Sequence, residues 1–189
     1  MNYSELARYT YEQLGDLTYE QVSLSIEKRF VTNRTQADVE RWNVLRVKGW
    51  SNMTEAERQE WMGNIDVTPS AARGMYTHND LNRVESAIDV ILKRFKEIGY
   101  SVPDLNIKKD RDHTSKLLDS DVEEFFYKIS VVRGLLPVHP STPRSPYPGE
   151  KMDYKLANDI ERILLDVDEI STKFTQSWHF VGELFIGEV

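Results

Sequence analysis

The side chains best suited to bind a metal ion or to act as nucleophiles are few and scattered along this chain. It has four histidines and no cysteine. Without cysteine, a disulfide framework, a thiolate zinc site and a cysteine nucleophile are all excluded. No two histidines have the i, i+4 spacing that places both imidazoles on one face of a helix. We therefore expect neither a metal site nor a cofactor; the histidines are His78, His113, His139 and His179.

Carboxylates lie closer together, but in patterns that favour solvated surface. Residues 110–112 (Asp-Arg-Asp) begin like a calcium loop, but the glycine and the distal glutamate that such a loop needs do not follow. We interpret them as a solvated turn. Asp166, Asp168 and Glu169 are close enough in sequence to serve acid–base chemistry, but helical periodicity places them mainly outward, which favours a solvated face.

Other catalytic patterns are missing from the sequence as well. It has no glycine-rich phosphate loop and no nucleophile elbow, so we predict that the chain is not an enzyme and has no small-molecule substrate. Its four tryptophans and nine tyrosines offer a candidate sugar-binding platform, because aromatic residues are common at interfaces. Their helical spacing is more typical of a core. The tryptophans are Trp42, Trp50, Trp61 and Trp178.

Charge and length narrow the class of partner. The net charge is −7 over 189 residues, and basic residues alternate with acidic ones apart from short patches such as residues 108–109. This argues against a nucleic-acid partner, which requires clustered Lys and Arg.

Residues 1–5 lack the basic and apolar regions of a signal peptide, and no stretch is long and apolar enough to span a membrane. We expect one domain, or one domain with an arm.

The chain is organised around one long predicted helix. Thr77 and Asp80 have the spacing of a capping box, with aspartate in place of glutamate. Gly99 stands where a left-handed residue would end the helix. Between them, apolar residues recur at steps of three and four, which predicts one apolar stripe along a helix. The stripe consists of Leu81, Val84, Ile88, Ile91, Phe95 and Ile98.

A second helix of matching pattern is predicted near the carboxyl end. Asp153 is its expected N-cap, and its stripe consists of Leu156, Ile160, Ile163, Val167, Ile170 and Phe174. Because the two stripes agree in length and spacing, we predict that these helices pack against each other, antiparallel, at the shallow angle of a bundle. The predicted fold class is all-α: a helical bundle with two long antiparallel helices that carry heptad stripes.

Shorter helices are predicted around these two. Thr35 with Asp38 starts one, which ends near Gly49, and residues 54–57 form the capping box of the next. Residues 63–76 are expected to be a loop. A further helix is expected from Ser120, paired with Glu123, to Gly134. A strap at residues 135–150 follows, in which five prolines exclude helix. We expect it to be an ordered connector rather than a ligand for a peptide-binding module.

The first 30 residues are predicted to form an arm of helical-turn repeats. Asn2, Thr10 and Thr18 recur every eight residues, each followed by a Glu or Gln that completes a capping box. Helices this short are marginal alone in water, so the arm needs a surface, either on its own domain or on another subunit. Its predicted partner-binding residues are Tyr3, Leu6, Tyr11, Leu14, Tyr19 and Val22.

The carboxyl end is apolar and aromatic over residues 178–189, and we predict a short β-prone tail. A solvated tail would be less apolar. It either packs back on the bundle or passes into a neighbouring subunit. Its predicted partner-binding residues are Phe180, Leu184, Phe185 and Ile186. The predicted division is therefore an arm at residues 1–30 and a helical domain at residues 31–189.

Three separate pieces of the domain carry a resemblance to a known family. They are Thr32–Val39; Met53–Met62 followed by Tyr76–Glu85; and Ala157–Asp168 with the ending Gly182–Leu184. Together they resemble a family of small proteins or modules encoded among the tail and baseplate genes of phages and prophages of Gram-positive bacteria. The tyrosine repeats of the arm resemble repeats of such tail proteins. The chain departs from the commoner pattern at residues 63–76 and 108–112.

The resemblance implies a phage virion structural protein: a tail, baseplate or tail-fibre-associated subunit, assembled in the host bacterial cytoplasm. Its expected partners are other tail or baseplate proteins, with homo-oligomerisation as a further option. One alternative is a module on the same particle that binds the host cell surface or its carbohydrate. Another is a helical assembly factor that is absent from the finished virion.

Overall fold

The computed structural model describes residues 30–62, 71–112 and 114–186, with side chains as far as Phe174 apart from those of Met62, Ala71 and Ala72. These ranges contain helices and no strand, so the all-α prediction is confirmed for them. The α-helices are α1 (Gln36–Lys48), α2 (Glu55–Met62), α3 (His78–Glu97), α4 (Asp119–Gly134) and α5 (Tyr154–Ile186). Two short 3₁₀ helices lie at Trp50–Asn52 and Ala71–Gly74.

The capping signals place most helix starts correctly. The Thr77 hydroxyl accepts from the Asp80 amide at 3.4 Å, while the Asp80 carboxylate accepts from the Thr77 amide at 2.7 Å. The same reciprocal pair forms at Thr35 and Asp38. Helix α4 begins two residues earlier than predicted: the Asp121 carboxylate accepts from the Leu118 amide at 3.1 Å, so the N-cap is Leu118 rather than Ser120.

The two predicted stripes meet in one core. Leu81, Val84, Ile88, Ile91 and Phe95 of α3 are buried together with Leu156, Ile160, Ile163 and Val167 of α5. Helix α4 adds Phe125, Phe126, Ile129 and Val132 to the same cluster. The predicted contact between α3 and α5 is therefore present, and α4 completes a three-helix bundle.

The predicted antiparallel direction of α3 and α5 is wrong. Arg83 of α3 contacts Glu161 of α5 at 2.9 Å, and Arg94 contacts Asp168 at 2.7 Å. Residue numbers therefore rise together along both helices, over about 16 Å of α3 at 1.5 Å per residue. The two helices run in the same direction. Apolar spacing cannot report direction, because a stripe looks the same from either end.

Two long connectors flank α4, and each runs back along the bundle before the next helix begins. The segment between α3 and α4 runs back along α3: Lys109 contacts Asp89 at 2.8 Å, and the Arg111 amide then donates to the Asn82 side chain at 3.1 Å. The proline-rich strap likewise returns along α5, where the Thr142 hydroxyl donates to Asp166 at 2.6 Å. The strap is an ordered connector, as predicted.

Helices α1 and α2 form a smaller packed unit. Leu45 and Met53 are buried there, and the rings of Trp42 and Trp61 stack with centroids 5.7 Å apart. The 3₁₀ helix at Ala71–Gly74 lies so close to α1 that a Cβ on Gly74 would overlap the α1 backbone. Part of the predicted loop at residues 63–76 is thus a 3₁₀ helix, and residues 63–70 lie outside the description.

The predicted β-prone tail is also wrong over most of its length. Helix α5 continues through Ile186, and residues 187–189 lie outside the description. The sequence explains why. The aromatic and β-branched content suggested a strand, but Phe174, Trp178, Val181 and Phe185 continue at steps of four, three and four, which is a helical period. Gly182 is tolerated inside a helix at a cost of about 1 kcal/mol. Among the described helices, none is long and apolar enough to cross a membrane.

Candidate functional site

The most elaborate polar site in the described part of the chain lies where the N-terminal arm joins the bundle. We call Arg34, Asp80, Arg83 and Glu161 the arm-root cluster. The Arg34 guanidinium reaches Glu161 at 2.7 Å and Asp80 at 3.2 Å. Arg83 reaches the same two carboxylates at 2.9 Å and 2.6 Å. Two cations and two anions from three segments are thus interlocked, and Glu161 and Arg34 are buried.

The cluster also fastens the backbone of the segment that leads into α1. The Val31 amide donates to the second Glu161 oxygen at 2.6 Å. The Asn158 side chain accepts from the Arg34 amide and donates to the Arg34 carbonyl, both at 2.9 Å. Phe30 packs against the main core. Residues 30–34 are therefore fixed to α5 by backbone and side chain together.

Burial and opposite charges act against each other in this cluster. Burial raises the pKa of Glu161, while Arg83, Arg34 and the Val31 amide favour its charged form. Burial alone would lower the pKa of Arg83, but the carboxylates of Glu161 and Asp80 raise it. Burial, and then the same carboxylates, raise the pKa of Tyr76 well above its usual value. Each charge is held by its partners rather than by water.

This geometry suits fastening better than catalysis. Both oxygens of Glu161 accept hydrogen bonds, and neither faces solvent as a general base would. Removing one member of a buried ion pair leaves an uncompensated charge and typically costs 3–5 kcal/mol. The cluster therefore resists release of the arm root.

A second buried carboxylate, Glu85, joins α3, α4 and their connector. It accepts from the Lys108 amide at 2.7 Å, from the Arg111 guanidinium at 2.7 Å and from the Lys128 ammonium at 2.8 Å. Lys128 also lies 3.3 Å from Glu124. Glu85 thus holds the returning connector against both helices that it links.

A third set of polar contacts corrects the prediction that the α5 carboxylates face outward. Asp168 is buried and pairs with Arg94, which also donates to the Ser171 hydroxyl at 2.7 Å. Asp166 is buried beneath the strap, where it accepts from Thr142. Of the three carboxylates, Glu169 alone is exposed as predicted, paired with Lys173 at 2.5 Å. Helix α5 therefore packs against other segments on more of its faces than a single apolar stripe predicts.

The predicted partner-binding residues fall outside what the structure describes in full. Tyr3, Leu6, Tyr11, Leu14, Tyr19 and Val22 lie outside the described residues. Phe180, Leu184, Phe185 and Ile186 lie on the described backbone of α5, with their side chains outside the description. Their role stays a prediction.

Sequence reasoning missed the buried ionic residues because charged side chains usually face water. A usable signal was present beside the α5 stripe. One residue after each of its first five members runs a second set at the same spacing, and these five are buried: Ala157, Glu161, Leu164, Asp168 and Ser171. Alanine, leucine and serine in register with two carboxylates indicate a second covered face, on which the carboxylates need cationic partners.

Comparison with known proteins adds no relative: no protein-family model, curated protein or solved structure matches the chain.

Proposed function

We propose that this protein is a virion structural subunit of a phage tail or baseplate that acts by protein–protein assembly and is put together in the cytoplasm of a bacterial host. The proposal is supported by the sequence resemblance described above and by the architecture around the arm root. Its partners would be other tail or baseplate proteins, with a second copy of the chain as a further option.

The observation that carries the proposal is the fixed root of the arm. An arm that anchors a subunit to a neighbour must itself be attached firmly to the domain from which it extends. Here residues 30–34 are fixed by the Glu161 carboxylate, by Asn158 and by the packing of Phe30. A mobile linker would need none of these contacts, since a solvated linker can stay polar and unpacked.

The proposed contact residues are those of the arm and of the α5 end. At about 1.5–3 kcal/mol for each large apolar side chain buried, several of them could contribute several kcal/mol before ordering costs. Because α5 is helical through Ile186, the contribution of Phe180, Leu184, Phe185 and Ile186 would come from a helix end rather than from a strand.

The test is deletion of residues 1–22 in the phage or prophage that encodes the chain. We expect mass spectrometry to find the wild-type protein in purified particles and to find the deletion variant missing from them. Circular dichroism of the purified variant should still show a folded helical body. Absence of the wild-type protein from particles would contradict the proposal and favour a non-virion assembly factor. If the deletion unfolds the helical body, the arm is part of its core and not an anchor.

A second candidate, a cell-surface or carbohydrate-binding module, is favoured by the half-exposed Trp50. The Arg58 guanidinium lies 5.5 Å from the centre of that ring and occupies one face of it. A bound sugar would stack on the opposite face of the Trp50 ring. Binding to purified cell wall that is lost in Trp50→Ala would support this candidate.

A further inference from the structure

The smaller unit of the domain has a core of its own. It consists of α1, α2 and the 3₁₀ helix at Ala71–Gly74, and we call it the α1–α2 lobe. Its apolar cluster, formed by Leu45, Met53 and Trp61, is separate from the core that α3, α4 and α5 share. The 3₁₀ helix packs so closely on the α1 backbone that a Cβ at Gly74 would not fit. The packing of the lobe therefore does not depend on the bundle.

The ion pairs of the lobe are internal as well. Arg41 of α1 donates to Glu60 of α2 at 2.7 Å, and Lys48 of α1 donates to Glu57 at 2.8 Å. These pairs join the two helices near both ends of α2. Together with the apolar cluster, they favour a lobe that keeps its internal geometry.

Two junctions connect the lobe to the bundle, and both are exposed. Thr35 leads from Arg34 into α1, and Met75 leads from the 3₁₀ helix to Tyr76. On the bundle side of each junction the chain is fixed: Arg34 pairs with Glu161, and Tyr76 packs on the main core. The two fixed points are adjacent, because the Arg34 guanidinium lies 5.2 Å from the centre of the Tyr76 ring.

Arg73 supplies a further link at the junctions. Its guanidinium donates to the Asn33 carbonyl at 3.1 Å and also to the Asn33 side chain. Apart from the α1 cap at Thr35, Arg73 is the one lobe side chain that, among the described residues, makes a hydrogen bond outside the lobe. This link lies one residue before Arg34 and two residues before Met75. A contact so close to both junctions can set the angle of the lobe but gives little leverage against its rotation.

We propose that the α1–α2 lobe pivots as one body about Thr35 and Met75, while the bundle and the arm root keep one geometry. Hinges are typically a few residues at the ends of elements that absorb changes in φ and ψ. Relative motion is expected where no large apolar interface joins two bodies. Val47 lies 12 residues along the chain from Thr35, so it is about 18 Å from the pivot, and a rotation of about 20° would move it by about 6 Å.

This motion would let the lobe adjust to a neighbouring molecule without disturbing the arm root. The inference goes beyond the proposed function and does not depend on it, because it concerns the purified chain alone.

The test is double electron–electron resonance on the full-length chain, which measures the distribution of distances between two spin labels. The chain has no cysteine, so each pair of introduced cysteines carries the only labels. Val47→Cys with Tyr127→Cys spans lobe and bundle. Lys93→Cys with Tyr127→Cys lies within the bundle, and Ala37→Cys with Glu55→Cys lies within the lobe. All five positions are exposed.

We expect the lobe-to-bundle distribution to be about 6 Å wider than either of the other two, the displacement that the rotation gives. A lobe-to-bundle distribution as narrow as the one within the bundle would overturn the pivot. A distribution within the lobe as wide as the lobe-to-bundle one would show that the lobe does not move as one body, and this would overturn the inference too.

Arg73→Ala tests where the pivot lies. It removes the link to Asn33, so it should widen the lobe-to-bundle distribution further and leave the other two unchanged. The matched control is Arg58→Ala, which removes a lobe arginine that lies over Trp50 and should change none of the three. Equal responses to the two variants would overturn the placement of the pivot at the arm root. Circular dichroism should show that the variants are folded; the comparison of the three label pairs needs neither arginine variant and decides on the pivot by itself.

Discussion

Replacing Glu85 with glutamine should strongly destabilise the bundle. The carboxylate accepts from the Lys108 amide, from Arg111 and from Lys128. A glutamine oxygen can replace only one of the two carboxylate oxygens, while its NH₂ group takes the place of the other and faces a donor with hydrogens of its own; the negative charge is lost as well. Lys128 is buried and would keep only Glu124, at 3.3 Å. Breaking a buried ion pair costs about 3–5 kcal/mol, a large part of the roughly 5–15 kcal/mol of a typical domain.

Urea unfolding followed by circular dichroism measures this loss directly. At about 2–4 °C per kcal/mol for a chain of this size, the melting temperature should fall by about 6–20 °C. Glu123→Gln, at an exposed position of α4, is the matched control and should stay within about 0.5 kcal/mol of wild type. If Glu85→Gln were as stable as that control, the buried ion pairs would not hold the connector, and the reasoning would be refuted.

Three further variants probe other parts of the structure. Glu161→Gln should loosen the arm root, so that trypsin cleaves after the otherwise buried Arg34 faster than in wild type. Gly74→Ala should force the 3₁₀ helix away from α1 and lower the unfolding free energy by about 1–3 kcal/mol in urea. The Lys48 hydrogen bond lowers the pKa of Glu57 from 4.5 to about 2, so its stabilisation is present above pH 4.5 and lost as the pH falls towards 2. The stability difference between wild type and Glu57→Gln should vanish over that interval.

Each of these has a control within the chain. Glu169→Gln lies on the exposed side of α5 and should leave cleavage after Arg34 unchanged. Gly134→Ala adds a Cβ that meets no atom within 4 Å and should be tolerated. Glu55→Gln, at a side chain that is largely exposed, should lower stability at neutral pH by less than Glu57→Gln does. Equal effects in a variant and its control would contradict the corresponding prediction.

Local signals in the sequence predicted local structure well. Thr35, Thr77 and Asp153 mark helix starts because a capping side chain and its amide partner lie within four residues of each other. Gly49 and Gly99 adopt φ of 75° and 80°, as expected for glycines that end helices. The apolar stripes identified the core, because burial follows helical period.

Long-range polar pairing was not predictable in the same way. Glu161 pairs with Arg34, which is 127 residues away in the sequence, and Glu85 pairs with Lys128, which is 43 residues away. The spacing of nearby residues does not predict either pairing. Taken alone, each of these charged residues looks like an ordinary surface residue in contact with solvent. The arm-root cluster therefore became visible only once three segments were placed together.

Helix direction shows which physical terms specify this fold. Arg83 and Arg94 lie along α3, and Glu161 and Asp168 along α5, so charge pairing alone would be satisfied by either direction of α5. The apolar stripes could likewise pack together with α5 in either direction. Neither the core nor its salt bridges selects the parallel arrangement that the structure has.

Helix α4 lies between α3 and α5 in the chain, so helices that simply alternate in direction, joined by loops of about 2–8 residues, would also leave α3 and α5 parallel. The connectors are much longer than that: α3 and α4 are joined by 21 residues and α4 and α5 by 19. A 19-residue connector can extend about 63 Å, well beyond the 24 Å or so of a 16-residue helix that it must retrace. Both connectors are anchored on their way back, one by Glu85 and the other by Asp166. Connector length was thus a sequence signal that successive helices need not alternate in direction, and the buried carboxylates Glu85 and Asp166 hold the two returning connectors in place.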